Sequence, residues 1–337
     1  MPAQSSRNRR ILLVNRPVGI PQPSDFAFDE TGLVPLEDGQ FLVRNCFLSV
    51  DPAQRGWANE GANYSNPVPL GSVMRALAVG EIVESRHAEY PVGHHVYGWL
   101  GWQDYAIASP KHVLTRIAAP RLPLSAYAGV LGINGLTAHL ALHGIGRPKA
   151  GDTVLVSTAA GAVGSVVGQL ARAAGCTTIG LSSDPAKLAM CRDRFGYDHA
   201  INYREPGLEE AISRVAPDGI DVFFDNVGGE QLDKMLRKMR VGGRVVQCGT
   251  ASVPSWTPPP TGLRNERELL MRRLTWGGFV VFDHMAVFEE TMHALGAMIE
   301  DGSLVYDEDV REGIACAPQA LVDVFAGRNR GKVLISP

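Results

Sequence analysis

Short apolar runs alternate with segments of helical period from Thr153 to about Glu300, the pattern of a parallel sheet with helices on both faces. The runs predict strands at Thr153 to Ser157, Thr177 to Leu181, Ala200 to Tyr203, Asp221 to Asn226, Arg244 to Cys248 and Leu274 to Val281. Between them, helices are expected over Ala162 to Ala174, Pro185 to Phe195, Leu208 to Val215, Glu230 to Arg240 and His284 to Glu300. Gly175, Gly196 and Gly242 read as helix stops. The first 125 or so residues instead show short alternating strands, such as Gln40 to Ser49 and Val79 to Val83, punctuated by Pro and Gly. The last stretch ends in Gly331-Lys-Val-Leu-Ile-Ser336, a strand able to return to that first region. The pattern therefore predicts a discontinuous β domain with an α/β domain inserted in it. Cofactor and substrate are expected to meet in a cleft between them.

With 337 residues the chain exceeds what one hydrophobic core usually organises. Its 45% apolar and 20% charged content is ordinary globular composition. A net charge of −3 gives no electrostatic reason to expect nucleic acid or an anionic membrane as partner. The basic cluster Arg7, Arg9 and Arg10 reads as a solvated terminus. Cys46, Cys176, Cys191, Cys248 and Cys316 are scattered and odd in number, which fits a reducing cytoplasm rather than a disulfide framework. Ile11 to Val14 is too short for a signal-peptide core. Gly129 to Gly146 contains Asn134, His139 and His143, and reads as a buried helix rather than a membrane span.

The most informative stretch is Thr153-Val-Leu-Val-Ser-Thr-Ala-Ala-Gly-Ala-Val-Gly164. A buried strand would end in small residues and reopen as a helix, whose free N–H groups and dipole can hold a pyrophosphate. Gly161 would let the backbone approach the phosphates, and Gly164 would let the helix pack on the sheet. The first glycine of the usual G-x-G-x-x-G triplet is replaced by Ala159, so the motif alone does not separate a cofactor turn from an ordinary loop.

Several further segments carry a wider resemblance: Phe47-Leu-Ser-Val-Asp-Pro52 with Arg55, Gly101-Trp-Gln-Asp-Tyr105, Leu131-Gly132 with Gly135-Leu-Thr137, Ala159 to Ser165, Asp225-Asn-Val-Gly-Gly229, and Asn329 with Gly331-Lys332. Spread in order over nearly the whole chain, they resemble the zinc-free medium-chain dehydrogenase/reductases of the prostaglandin reductase and alkenal double-bond reductase type, bacterial curcumin reductases included. The resemblance implies a GroES-like β domain at residues 1–126 and 302–337 and a Rossmann domain, a doubly wound parallel sheet, at 127–301. It also implies NADPH as cofactor, reduction of the carbon–carbon double bond of α,β-unsaturated ketones or aldehydes, and a homodimer.

At the end of the second strand of the Rossmann domain stand Ser182 and Ser183, where NAD enzymes carry an acid for the ribose 2′-OH. Asp184 lies at about the right count for that role. Asp184-Pro185 also suits a helix N-cap with proline in the first turn, and that reading is favoured. The resemblance places Lys187 and Tyr203 at a 2′-phosphate, beside Ser182 and Ser183 at the strand end, while the turn of Gly161, Ala162, Val163 and Gly164 is the candidate pyrophosphate site. The resemblance adds Thr137, Asn226, Cys248, Gly249, Thr250, Phe279, Val281 and Asn329 as cofactor contacts. Lys187 reads also as a solvated helix lysine, Tyr203 as a strand-end aromatic, Phe279 and Val281 as sheet core, and Asn226 as a residue that only holds the glycine turn after it.

No metal is expected. Gly71-Ser-Val-Met-Arg75 stands where zinc alcohol dehydrogenases carry Gly-His-Glu, His94 and His95 read as loop residues, and Cys46 as core. Reduction of an enone builds negative charge on the carbonyl oxygen, which calls for a donor aimed at it. The tyrosine that many relatives use after the fifth strand is replaced by Pro254, and Asp51-Pro-Ala-Gln54 lacks a second family tyrosine, leaving Ala53 and Gln54 and a wider pocket. Tyr64 is the remaining candidate catalytic donor, with a loop aromatic that only lines the cleft as the alternative. Trp57, Trp256 and Phe282 are candidate pocket walls or packing residues. A zinc-independent quinone reductase and a catalytically silent NADPH-binding protein stand as the competing functions.

Overall fold

The structure is a computed structural model and describes residues 7–61, 64–253, 258 and 260–337. Two compact units result, one built from residues up to Gly132 together with Glu308–Pro337, the other from Ile133–Asp307. Both junctions fall six residues beyond the expected 126/127 and 301/302.

The first unit is mostly β. Strands β1 (Arg7–Leu13) and β2 (Phe26–Gly32) form a separate antiparallel pair. The arginines expected to be a solvated terminus lie in β1 and are paired: Arg7 with Glu30, Arg9 with Asp104, Arg10 with Asp29. Strand β3 (Phe41–Ser49) is followed by the short helix α1 (Ala53–Ala58), then by β4 (Leu77–Ser85), β5 (His95–Trp99), β6 (Tyr105–Ala108), β7 (Val113–Ile117) and helix α2 (Leu124–Ala128). His95 thus opens a strand rather than sitting in a loop. Gly80 in β4 permits a close approach to β3, since a Cβ there would stand 2.6 Å from the Arg44 carbonyl oxygen.

The second unit runs through α3 (Ile133–Ala141), a π-helical turn at Leu142–Gly146, and β8 (Thr153–Val156), α4 (Gly164–Ala173), β9 (Thr177–Ser182), α5 (Pro185–Asp193), β10 (His199–Asn202) and α6 (Leu208–Val215). It continues with β11 (Ile220–Asp225), α7 (Gly229–Leu236), β12 (Met239–Gln247), α8 (Glu266–Arg272), β13 (Thr275–Gly278) and α9 (Phe288–Glu300). The six strands are parallel, in the order β10-β9-β8-β11-β12-β13. Leu155, Ile179, Leu181, Phe223 and Val245 from the sheet and Ile212, Leu232 and Met235 from the helices share one buried cluster. The apolar strand runs are continuous because both faces are covered.

Several expected boundaries move. The helix expected over Glu230 to Arg240 stops at Leu236, because Met239 already pairs with Ile220. Gly242, expected to stop that helix, lies inside β12 at φ 80°, where the register of the β11–β12 pairing shifts. The strand expected to reach Val281 ends at Gly278, and Val281 opens a 3-10 stretch to Val287 ahead of α9. The helix expected over Gly129 to Gly146 is broken at its start, where Gly129 ends α2 in a non-helical turn.

The chain then re-enters the first unit through β14 (Glu308–Glu312), α10 (Ala317–Phe325) and β15 (Lys332–Ser336). Strand β15 lies parallel to β14 and antiparallel to β3, completing a seven-stranded sheet.

Candidate active site

In the second unit, β8 has β9 on one side and β11 on the other, and the chain reverses direction across the sheet at this point. Ligands bind outside the carboxyl ends of strands at such a point. The turn leaving β8 is the glycine stretch. A Cβ on Gly164 would stand 2.4 Å from the Thr158 carbonyl oxygen and 2.9 Å from the Ala159 Cα, so only glycine lets α4 start here. Gly161 is less crowded, its added Cβ meeting the same oxygen at 3.1 Å. The N–H groups of Ala162 and Val163 donate to nothing among the described residues. Open donors at a helix start, with no side chain above Gly161, fit the pyrophosphate of a dinucleotide.

The turns after β8, β11 and β12 meet at Asp225. Its fully buried carboxylate accepts from Ser157 Oγ at 2.9 Å, from the Val227 and Gly228 N–H groups at 2.9 and 2.8 Å, and from Gln247 Nε2 at 2.8 Å. Burial pushes its pKa up while these four donors oppose the rise. Asn226 spans strands, its side-chain amide donating to the Ser157 carbonyl at 3.1 Å, so the glycine turn is held by Asp225 instead. The Cys248-Gly249-Thr250 turn packs on the same backbone. Cys248 N–H donates to the Asp225 carbonyl at 2.8 Å, and a Cβ on Gly249 would lie 2.6 Å from the Asn226 oxygen. Phe279, half-buried, donates its N–H to the Gln247 carbonyl and stacks on His284 at 4.8 Å, and Val281 is buried. Thr137 is half-buried on α3.

At the ends of β9 and β10, Asn202 is in register with Ser182, and Tyr203 N–H donates to the Ser182 carbonyl at 3.1 Å. Asp184 is the N-cap of α5, its carboxylate accepting from the Lys187 N–H at 3.0 Å, with Pro185 opening the helix. Asp184, the acid that follows β9, is therefore engaged in the helix start. Ser182 is buried at the end of β9, Ser183 and Lys187 follow it half-buried, and Tyr203 follows β10; at this lip of the sheet a shallow cavity of about 340 Å³ opens beside Tyr203, lined by Arg204, Glu205, Glu209 and Lys234.

The remaining candidates belong to the β unit. Tyr64 is 55% exposed, yet the protein crowded around its hydroxyl pushes its pKa up, with the Trp57 indole opposing and Asp51 adding to the rise. Asn329 half-buries its side chain and donates to the Gly331 carbonyl at 2.9 Å. Gln54, expected to leave space in the pocket, is fully buried in α1, bridging the Asp51 N–H and the Arg75 carbonyl. Trp57 is 1% exposed and packs edge-on against Trp99, which makes it core of this unit. Pro254 and Trp256 lie outside the described residues. The sequence reading did not single out Lys332, whose buried ammonium binds the Asp51 carboxylate at 2.7 Å and the Val50 carbonyl at 2.9 Å. The quoted Asp51 and Lys332 motifs were the available signal, since a lysine in an apolar terminal strand needs a buried partner.

A GroES-like sheet with an inserted parallel sheet, carrying a glycine turn with open N–H groups at its switch point, defines a medium-chain dehydrogenase/reductase. Two family models match the chain, one described as the N-terminal domain of oxidoreductase over residues 9–116 and one as zinc-binding dehydrogenase over 162–297. Among the described residues no three His, Cys, Asp or Glu side chains are grouped to hold a metal ion. The chain is 36% identical to a 2-alkenal reductase (NADP(+)-dependent) of Nicotiana tabacum, covering 99% of this chain and 98% of that protein. It is 34% identical to the NADPH-dependent curcumin reductase of Escherichia coli (strain K12), with 99% and 98% covered. The crystal structure of CurA in complex with NADPH from Vibrio vulnificus matches with a TM-score of 0.91 at 34% identity, over 97% of this chain and 98% of that one. The chain belongs to the medium-chain dehydrogenase/reductase family, in the group of the alkenal, curcumin and prostaglandin reductases.

Proposed function

We propose that this chain is an NADPH-dependent reductase of the carbon–carbon double bond in α,β-unsaturated ketones and aldehydes. The observation that carries this reading is likeness over essentially the full chain to relatives named for alkenal and curcumin reduction. Bound NADPH would supply the hydride for the β-carbon, and a cofactor ribose hydroxyl or water would relay the proton that the α-carbon takes. The turn from Gly161 through Ala162 and Val163 to Gly164 holds the pyrophosphate on its open N–H groups. Ser182, Ser183, Lys187 and Tyr203 read the 2′-phosphate. Asn226, Cys248, Gly249 and Thr250 shape the floor under the nicotinamide end, with Phe279 and Val281 beside it and Thr137 and Asn329 as further contacts. Tyr64 donates its hydroxyl hydrogen bond to the substrate carbonyl oxygen, where charge develops.

The test is loss of NADPH absorbance with a panel of enals, enones, curcuminoids and quinones, the reduced bond being identified by product mass. Saturated carbonyl products support the reading. Quinone turnover exceeding enone turnover would make the chain a quinone reductase, and cofactor binding without any oxidation would make it a silent NADPH-binding protein.

We also propose a homodimer in the cytoplasm. Strand β13 is an edge of the six-stranded sheet, with Trp276 41% exposed, and the helix before it exposes Leu270 and Met271. Sedimentation of wild type against Trp276→Glu tests the dimer. For the compartment, no helix among the described residues is long and apolar enough to cross a membrane, and all five cysteines are free thiols.

A further inference from the structure

We propose that Arg204, stacked on Tyr203, is a second cation that reads the 2′-phosphate of the cofactor and sets the preference for NADPH over NADH. The inference rests on the cofactor reading above and adds a residue to it. The Arg204 guanidinium lies 5.9 Å from the Tyr203 ring centroid and makes no ion pair among the described residues. Its backbone is fixed, since the Arg204 N–H donates to Asn202 Oδ1 at 3.0 Å. The same Asn202 side chain donates to Glu205 Oε1 at 3.0 Å, which occupies the nearest carboxylate with a neutral partner. Across the lip, the Asp184 carboxylate is occupied by the Lys187 N–H.

The register of Asn202 with Ser182 sets Arg204, just past β10, and α5, which carries Lys187, at the same end of the paired strands, while Asp184 and Glu205 each accept from an amide. Further charges bordering the site are Glu209, Glu210 and Lys234. A guanidinium resting on an aromatic face is pre-ordered, and its planar fork suits a phosphate dianion better than a ribose hydroxyl. Arg204 is thus an exposed cation resting on the ring of Tyr203, beside the cavity at the end of β10, with no carboxylate of the described residues claiming it.

The test measures binding of 2′,5′-ADP and of 5′-AMP by calorimetry, together with the NADPH-to-NADH ratio of kcat/KM, for wild type, Arg204→Gln, Arg204→Lys and Lys187→Ala. Arg204→Gln is expected to weaken 2′,5′-ADP about tenfold and lower the NADPH preference by a similar factor, with 5′-AMP affinity held. Arg204→Lys is expected to recover part of the loss, since it restores charge without the planar fork. If Arg204→Gln binds 2′,5′-ADP as wild type does while Lys187→Ala is weakened, Arg204 is no reader and the cofactor reading survives. If wild type itself fails to distinguish 2′,5′-ADP from 5′-AMP, the 2′-phosphate reading of this lip falls along with the inference.

Discussion

The Tyr197 hydroxyl donates a 2.6 Å hydrogen bond to the carbonyl oxygen of Gly164, the residue that opens α4. Its ring fills the space left by two other glycines: a Cβ on Gly168 would lie 2.2 Å from it, and one on Gly180 3.2 Å. One buried phenol thereby ties the start of the phosphate-turn helix to the sheet. Burial drives its pKa far up, so it stays a donor at any working pH. Tyr197→Phe should lower stability by about 1–2 kcal/mol, read from chemical denaturation, with little change in shape.

Gly161 and Gly164 should separate folding from binding. Gly164→Ala drives a methyl into backbone and should cost about 1–3 kcal/mol of stability. Gly161→Ala meets the Thr158 carbonyl oxygen at 3.1 Å, tight but relieved by a shift of a few tenths of an ångström, so the fold should lose about 1 kcal/mol while NADPH affinity falls at least about tenfold. Parallel melting curves and fluorescence titrations would show it, and equal behaviour of the two variants would contradict the assignment.

Removing the carboxylate in Asp225→Ala strands four donors at once: Ser157, Val227, Gly228 and Gln247. A loss of about 3–5 kcal/mol is expected, together with weaker cofactor binding in whatever folds. A variant as stable as wild type would mean that the three turns are held by something else.

Lys332 and Asp51 should behave as a unit. Each is 4% exposed, and Lys332→Met would leave the Asp51 carboxylate buried without its cation at a cost of about 3–5 kcal/mol. Adding Asp51→Asn should return a substantial part of that loss. Additive losses in the double-mutant cycle would speak against a coupled pair.

Tyr64 predicts a pH profile. Because its pKa is raised, the phenol keeps its proton, and so its ability to donate, through the ordinary tyrosine value of about 10. Any loss of kcat through this group therefore belongs above that pH. Tyr64→Phe should lower kcat about tenfold or more with KM little changed. Full activity in the variant would reduce Tyr64 to a loop aromatic.

The thiols should be slow to react. Burial raises all five, Cys176 to about 11 and Cys191 to about 12, and Cys248 is also pushed up, with the Asp225 charge adding to its burial. Alkylation of Cys176 and Cys191 near neutral pH should therefore be at least about tenfold slower in the folded protein than after denaturation. Rapid labelling of native Cys248 would show that its turn opens.

The six parallel strands and the N-cap at Asp184 were legible in the sequence because continuous apolar runs and an Asp-Pro pair have few other uses. The glycine triplet was legible only in part. Ala159, which departs from the motif, needs no special backbone conformation; the left-handed residue is Thr158, at φ 50°. No glycine marks that position, so the strain was invisible. The end of α7 was misplaced because Met239 looks helical until Ile220 pairs with it. Asp225 and Lys332 stood inside quoted motifs, but what they hold lies on strands distant in sequence. Gln54 and Trp57 likewise showed their packing only once α1 had formed.

Strand β15 also bears on biosynthesis. Its partner at Leu334 is Ser49, with all of Ile133–Asp307 between them. On a ribosome the inserted unit is delivered whole while the surrounding sheet still waits for its final strand. Folding in the cell is thus expected to run from the inside of the sequence outward, leaving β3 in the interim with a bare flank for chaperones to guard.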